Sequence, residues 1–383
     1  MFKYQRLTKF IEQYKHLPEQ GTEAWKALRE NFIGGSEVST ILKQNKNKTI
    51  NKLILGKLGF DKFKGNTITH WGNVFEELIR LHCEEVFSCQ IKETGSIPYK
   101  DGFLSYSPDG LAVIPTNKLI KRFGKNTPGV NYKDPAQLVL FEFKCPHSRV
   151  ASEEIPEHYW PQVNIGMNII DIMETAIFVQ ATYRRCSFKS LKYDRQHNSY
   201  GHFKRVDTTS PPIECGFMTI YNEKDEYDSE GLKMALLDVG EASEIHLNNG
   251  EVVLDLGNIT DPNLLEEVLE NCVNKNFKVD YCFRNMYQQE IFNNSYKRDM
   301  YDQSLQYRSL KKLCDQSEIH KDIIGIMPFK LLNIHMTPVA KNPTYIQDTK
   351  AHEKAIKVLQ CIKDHQGNDS KADVSKSIRQ YKL

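Results

Sequence analysis

The sequence predicts an α/β fold: a mixed central β-sheet flanked by helices, followed by a C-terminal α+β extension. Three observations lead there. Residues 70–87 repeat apolar side chains at helical spacing: Trp71, Val74, Phe75, Leu78, Ile79, Leu81 and Val86. Leu138-Val139-Leu140-Phe141 is a continuous apolar run, the mark of a buried strand. Strand-like runs at 103–106, 111–114 and 138–143 are followed by a helical stretch at 158–170 and another strand at 176–180.

The 383 residues suffice for one large domain or two ordinary ones. No apolar run approaches the length of a membrane span. The first residues lack the apolar core of a secretory signal, so an intracellular protein is expected, with no membrane partner. The nine cysteines are scattered and form no Cys-x-x-Cys, which suggests neither a disulfide framework nor a zinc site. A net charge of +2 does not demand a nucleic-acid partner, but clustered basic residues would allow one.

Residues 1–31 read as two helices, broken at Pro18 and Gly21, with Arg29 near the end of the second. Ile33-Gly34-Gly35-Ser36-Glu37 reads as a turn, with Ser36 as N-cap of a helix through Leu42. The free amides of that helix start, with Arg29 nearby, suit a phosphate. An ordinary capped helix beside a surface arginine fits the same residues. Residues 43–52 read as a polar basic loop. In the helix over 70–87, Glu76 borders the apolar face; such a glutamate either faces solvent or aims at the sheet as an outer metal ligand. Strands over 91–97 and 103–106 are joined around Tyr99-Lys100-Asp101-Gly102.

Residues 115–137 form an insertion rich in Pro, Gly, Asn and Lys that carries Lys118, Lys121, Arg122 and Lys125. After the strand at 176–180 comes a basic stretch: Arg184, Arg185, Lys189, Lys192, Arg195, Lys204 and Arg205. Farther on are a strand at 215–221, a hairpin at 244–256, a helix from Pro262 to Val273 and a buried segment at 326–332. A last helix follows at 351–364, then a mobile tail over 366–383. The expected division is 1–205 as a core with the inserted basic loop, 206–335 as an extension packed on it, and 336–383 as a helical tail.

Two short motifs carry the chemistry: Ser107-Pro108-Asp109-Gly110 after one strand, and Glu142-Phe143-Lys144 at the end of another. Alone, Pro-Asp-Gly is a favoured β-turn. Strand residues i and i+2 face the same side, so Glu142 and Lys144 point together. Charge at the end of a buried strand is costly unless compensated. An internal ion pair compensates it, and so does a metal. Converging carboxylates suit a hard divalent cation, and a lysine beside it can hold or deprotonate a water. That is apparatus for cutting a phosphodiester.

Residues 22–188 resemble the lambda-exonuclease (YqaJ-type viral recombinase) family, whose fold is restriction-endonuclease-like and whose signature is Asp … Glu-x-Lys. Four blocks carry the resemblance: Ala24-Trp25 with Arg29 and Ser36-Glu37-Val38; Trp71-Gly72 with Phe75-Glu76; Ser107-Pro108-Asp109-Gly110-Leu111; and Glu142-Phe143-Lys144-Cys145-Pro146 with Ser148-Arg149 and Gln162-Val163. The resemblance implies a restriction-endonuclease-like core. It implies that Asp109, Glu142 and the carbonyl of Phe143 bind Mg²⁺, with Mn²⁺ able to substitute. Glu76 would contribute to a cluster holding two ions. Lys144 would orient or deprotonate the attacking water, and Gln162 would hydrogen-bond near it. Arg29, Ser36, Ser107 and Arg149 match the positions that hold a terminal 5′-phosphate. The inserted basic loop, with Lys121 and Arg122, would grip the duplex beside the site, split its strands, or be a tolerated surface insertion.

The implied activity is 5′→3′ degradation of double-stranded DNA, releasing 5′-mononucleotides and leaving 3′ single strands for recombination or repair. A single-strand annealing protein is an implied partner. The family's ring-shaped trimer need not carry over, which leaves monomer and dimer open. Enlarged versions recur in large eukaryotic DNA viruses, implying a viral source and a host cytoplasmic or nuclear location. Two other readings stand beside this one: a structure-specific or nicking endonuclease of the same fold, and a catalytically inactive DNA-binding recombination scaffold. The intact Asp109, Glu142 and Lys144 weigh against the scaffold.

Overall fold

Alternation along the central strands divides the core into two layers. The computed structural model describes residues 2–18, 22–61, 67–185, 193–194, 199–200, 203–204, 215–221, 229–246, 252–261, 263–264 and 323–379. The described helices are α1 (Phe2–Tyr14), α2 (Glu23–Arg29), α3 (Gly35–Ile41), α4 (Ile50–Lys57), α5 (Thr67–Phe87), α6 (Thr116–Phe123), α7 (Trp160–Ile169), α8 (Ser229–Asp238), α9 (Tyr345–Thr349), α10 (Ala351–Asp364) and α11 (Lys371–Ile378). The main sheet contains β4 (Gly110–Pro115), β5 (Ala136–Lys144), β6 (Thr175–Arg185), β10 (Cys215–Tyr221), β11 (Ser243–His246), β12 (Val252–Asp255) and β13 (Ile323–Ala340). Its order is β11–β12–β13–β6–β5–β4, with β10 also paired to β13. A smaller sheet joins β1 (Ile33–Gly34), β3 (Leu104–Tyr106) and β2 (Ile97–Tyr99); another joins the short β7 (Tyr193–Asp194), β8 (Ser199–Tyr200) and β9 (Phe203–Lys204).

Strand β5 turns Val139, Phe141 and Phe143 toward α5, where they pack on Trp71, Phe75, Leu78 and Ile79. Its other face carries Leu138 and Leu140 into a second apolar cluster with α1, α3, α4, α7 and α9–α11. Glu142 shares that parity, so it faces the α3 and α7 layer. This is the mixed α/β architecture predicted, with helices on both faces of one central sheet. β4 and β5 are antiparallel, β5 and β6 parallel with α7 between them, and β6 and β13 antiparallel. Among the described residues, no helix is long and apolar enough to cross a membrane.

Several expectations change. Gly34, not Ser36, is the N-cap of α3; its N–H donates to Glu37 Oε2 at 3.0 Å, and Ser36 lies in the first turn. The polar loop over 43–52 ends early, because Thr49 caps α4 and the helix buries Leu53, Ile54 and Leu55. In the strand expected over 91–97, Lys92 makes only an isolated bridge to Leu111, and β2 begins at Ile97. The insertion over 115–137 opens as α6, which buries Thr116 and Leu119. The expected mobile tail contains α11, whose Val374 and Ile378 are buried. The division placed between 335 and 336 falls inside β13, which pairs with β6 from Phe329 opposite Arg185 to Ala340 opposite Thr175. Of the helix expected from Pro262 to Val273 only Asn263 and Leu264 are described, and they are helical; the rest of it, the hairpin tip and the basic residues Lys189, Lys192, Arg195 and Arg205 fall outside the described residues.

Candidate active site

Register decides which residues meet. Gly110 pairs with Phe141, so Asp109 lies beside the Glu142–Phe143 end of β5, and the Phe143 N–H donates to Asp109 Oδ2 at 2.7 Å. Glu142 is 0% exposed and Asp109 9%. Two carboxylates removed from water need counter-charge or donors. Glu142 has both. The Lys144 ammonium and the Gln162 amide donate to its Oε1, and the Tyr106 hydroxyl donates to its Oε2 at 2.5 Å. Lys144 Nζ also lies 3.8 Å from Asp109 Oδ2 and 5.4 Å from the centre of the Tyr159 ring.

Burial first, then the charges of Glu142 and Glu76, raise the Asp109 pKa well above the carboxylate range, and Lys144 opposes them. Burial disfavours the ammonium of Lys144, but Glu142 and Asp109 outweigh it and hold its pKa above the ordinary lysine value. Burial and the same carboxylates push the Tyr106 hydroxyl well above 10.0. Glu76 therefore acts on this cluster from α5, the layer on the opposite face of the sheet.

Among the described residues, no group of three or more His, Cys, Asp or Glu forms a ready-made metal cage. What the site holds is a surplus of negative charge: Asp109, Glu142 and the nearby Glu76 against the Lys144 ammonium. Its donors are all oxygen. That set fits a hard divalent cation and does not fit a soft one.

A second cluster begins two residues before Asp109. Pairing of β1 with β3 sets Gly34 opposite Ser105 and brings the start of α3 toward Ser107. The Trp25 indole N–H donates to Ser107 Oγ at 3.3 Å, and the Arg29 guanidinium stacks over the Trp25 ring at 4.6 Å. Arg29 Nη2 donates to Ser36 Oγ at 3.2 Å. Buried Lys57 holds the base of this cluster, donating to the carbonyls of Arg29 and Phe32 at 2.7 and 2.8 Å and pairing with Glu37. Arg29, Ser36 and Ser107 are thus brought together.

Arg149 is held elsewhere, by Gln180 of β6, whose Oε1 accepts from its guanidinium at 2.5 Å. Gln180 is the cross-strand partner of Lys144, and its amide also donates to the carbonyls of Ser152 and Glu154. Lys121 and Arg122 are not beside the carboxylates. They lie on α6, past the Pro115–Ala136 end of the β4–β5 hairpin, whereas Asp109 lies at the Gly110–Phe141 end. Five residues of strand separate the two ends, about 17 Å. An insertion between antiparallel strands must emerge where they are joined, and here that end points away from the site.

Sequence reasoning missed Tyr106 and Tyr159, which contact the site, Gln180, which holds Arg149, and the role of Trp25 as a donor to Ser107. Tyr106 carries no local signal beyond its place immediately before Ser107, because its partner lies 36 positions away.

Residues 24–173 match the family model described as a YqaJ-like viral recombinase domain. A protein of African swine fever virus (strain Badajoz 1971 Vero-adapted) is 27% identical over 233 residues, covering 57% of this chain and 65% of the relative. Its counterpart in isolate Tick/South Africa/Pretoriuskop Pr4/1996 is 26% identical over 234 residues, with the same coverage. The match therefore spans less than two thirds of these relatives' own length. Among solved structures, the alkaline exonuclease LHK-Exo of Laribacter hongkongensis is similar at 20% identity and a TM-score of 0.31, covering 42% of this chain and 74% of that one.

Proposed function

We propose, from the match of residues 24–173 to the YqaJ-like viral recombinase model and from the geometry of the site, that the chain is a divalent-cation-dependent exonuclease. It degrades double-stranded DNA 5′→3′ from ends, releases 5′-mononucleotides and leaves 3′ single strands that an annealing protein can take up. One observation carries the reading. The turn Ser107-Pro108-Asp109 has its serine in the Trp25–Arg29–Ser36 cluster and its aspartate against Phe143 and Lys144. A terminal 5′-phosphate held by the first cluster sets a neighbouring phosphodiester at the second, at a spacing fixed by the turn.

Asp109, Glu142, Glu76 and the Phe143 carbonyl are the groups that would hold Mg²⁺ or Mn²⁺. When bound, the cation supplies Lewis-acid activation of a water and neutralises charge at the scissile phosphate. Gln162 orients Glu142 from α7. Lys144, held protonated by its two carboxylates, donates to the attacking water or to the phosphate. With a cation held by Asp109 and Glu142, their pull on Lys144 would weaken and its pKa would fall, toward what a base requires. Arg29 and the hydroxyls of Ser36 and Ser107 offer a charge-assisted set of donors for the terminal phosphate.

The test is a panel of end-labelled duplexes with 5′-phosphate or 5′-hydroxyl ends, beside closed circular duplex, with Mg²⁺ or with chelator. Mononucleotide release from linear, 5′-phosphorylated DNA in Mg²⁺ alone is the expected result. Equal cutting of closed circles would replace this reading with a nicking endonuclease. Binding without cleavage would replace it with a scaffold.

A further inference from the structure

Tyr106 ends β3 and is 1% exposed. Its ring lies against two glycines from different helices. A Cβ placed on Gly35 of α3 would come 2.4 Å from ring Cδ2, and one on Gly166 of α7 would come 2.5 Å from Cζ. No side chain tolerates such an approach, so glycine is required at both positions for α3 and α7 to close on the ring. Helix α3 carries Ser36 and α7 carries Gln162. The ring therefore sets the spacing between the helix of the phosphate cluster and the helix of the carboxylate cluster.

The hydroxyl adds a second function. It donates to Oε2 of Glu142, while Oε1 faces Lys144 and Gln162, and Lys144 leads on to Asp109. The two oxygens of this buried carboxylate are thus distinct. One is tied inward to the tyrosine. The other faces Lys144, whose ammonium also lies 3.8 Å from Asp109 Oδ2.

We propose that Tyr106 is a positioning residue for cation binding, occupying Oε2 of Glu142 so that Oε1, on the side of Lys144, is the oxygen offered to the cation. The inference rests on the nuclease reading above. Hydrogen bonds behind a ligand fix its orientation and are costly to lose. Without the hydroxyl, Glu142 keeps its burial but loses the donor that fixes which oxygen it offers.

The test is Mn²⁺ binding to the DNA-free protein, read by calorimetry and electron paramagnetic resonance, with duplex cleavage as a second readout. Tyr106→Phe keeps the ring between Gly35 and Gly166 and removes only the hydroxyl. It is expected to weaken Mn²⁺ binding by about 10–100-fold, with duplex binding in chelator unchanged and the fold intact by circular dichroism. Gln162→Ala is the second variant and does not depend on the first folding. Because Tyr106 still fixes Oε2, deleting the amide from Oε1 is expected to weaken Mn²⁺ binding less than Tyr106→Phe does. Wild-type Mn²⁺ affinity in Tyr106→Phe, or a loss in Gln162→Ala as large as that expected for Tyr106→Phe, overturns the assignment of the two oxygens. Wild-type protein that binds Mn²⁺ and cuts DNA alongside an unaffected Tyr106→Phe sinks this inference alone. Wild-type protein that neither binds Mn²⁺ nor cuts DNA sinks the nuclease reading and this inference with it.

Discussion

The two ends of the β4–β5 hairpin share the same strands and differ in how they treat charge. At the Gly110–Phe141 end, Asp109 and Glu142 are buried, and Lys144, Gln162 and Tyr106 converge on them. At the Pro115–Ala136 end, α6 carries Lys121 and Arg122 exposed to water. Charge left in water costs the fold little and is worth little. Charge held out of water, with each atom partnered, marks the place where chemistry is expected. The contrast also teaches that nearness along the chain misleads: the basic residues lie between the two motifs in sequence and apart from both in space.

The comparison can be broken first at the buried end. Asp109→Asn should reduce cleavage to background, measured on a 5′-phosphorylated duplex, because a ligand oxygen with full charge is lost. The same change should raise the melting temperature of the metal-free protein by a few degrees. The sign follows from the raised pKa of Asp109. Its contribution to stability is whole below the unfolded carboxylate pKa, about 4, and is lost as pH rises through the higher folded value. Asparagine mimics the protonated form, so the gain should appear at neutral pH and vanish in acid. A lower melting temperature at neutral pH would contradict the account of a site overloaded with negative charge.

Lys144→Ala should slow cleavage by about 10²–10⁴-fold, the usual range for a group that donates or accepts a proton in the reaction. Binding of duplex in chelator should persist, so a gel shift separates lost chemistry from lost affinity. Arg29→Ala should cut the preference for 5′-phosphate over 5′-hydroxyl ends by about 10–100-fold, the worth of a hydrogen bond to a charged group. Equal rates on the two ends in wild type would remove the phosphate role altogether. The smallest effect belongs to the basic end: Lys121→Ala with Arg122→Ala should change the rate by less than about twofold, since the separation exceeds the screening length at physiological salt. A large loss there would mean that DNA reaches along the hairpin to α6.

What could be read from the sequence was what local patterns control. The parity of Glu142 and Lys144 follows from strand geometry, and the apolar spacing of Trp71, Phe75, Leu78 and Ile79 defines α5. The placing of the insertion was not legible: the loop was expected beside the site, and only the antiparallel pairing of β4 with β5, which no local window contains, puts α6 at the far end of the hairpin. Helix α4 was hidden by the polar run before it and by Leu53-Ile54-Leu55, three consecutive apolar residues without helical spacing. Strand β13 was hidden by Pro328 and Pro338, which argue against a central strand although both stand in paired register here. Helix α11 buries only Val374 and Ile378, too little apolar signal to distinguish it from a tail. Tyr106 and Gln180 depend on partners supplied by other strands and helices, which no local window contains.

The long pairing of β13 with β6 bears on how the protein comes to exist at all. Thr175 lies beside Ala340 and Arg185 beside Phe329, so the strand next to the one bearing Glu142 receives its other neighbour only from distant sequence. Pairings of such separation are slow to form. Until they do, β6 is an open edge, rich in Ala176, Ile177, Phe178 and Val179, and prone to pair with another chain. The stretch matched to the family stops at residue 173, ahead of both strands. A fragment cut there would leave Glu142 on the rim of an incomplete sheet, and it is expected to aggregate rather than to work as a small nuclease.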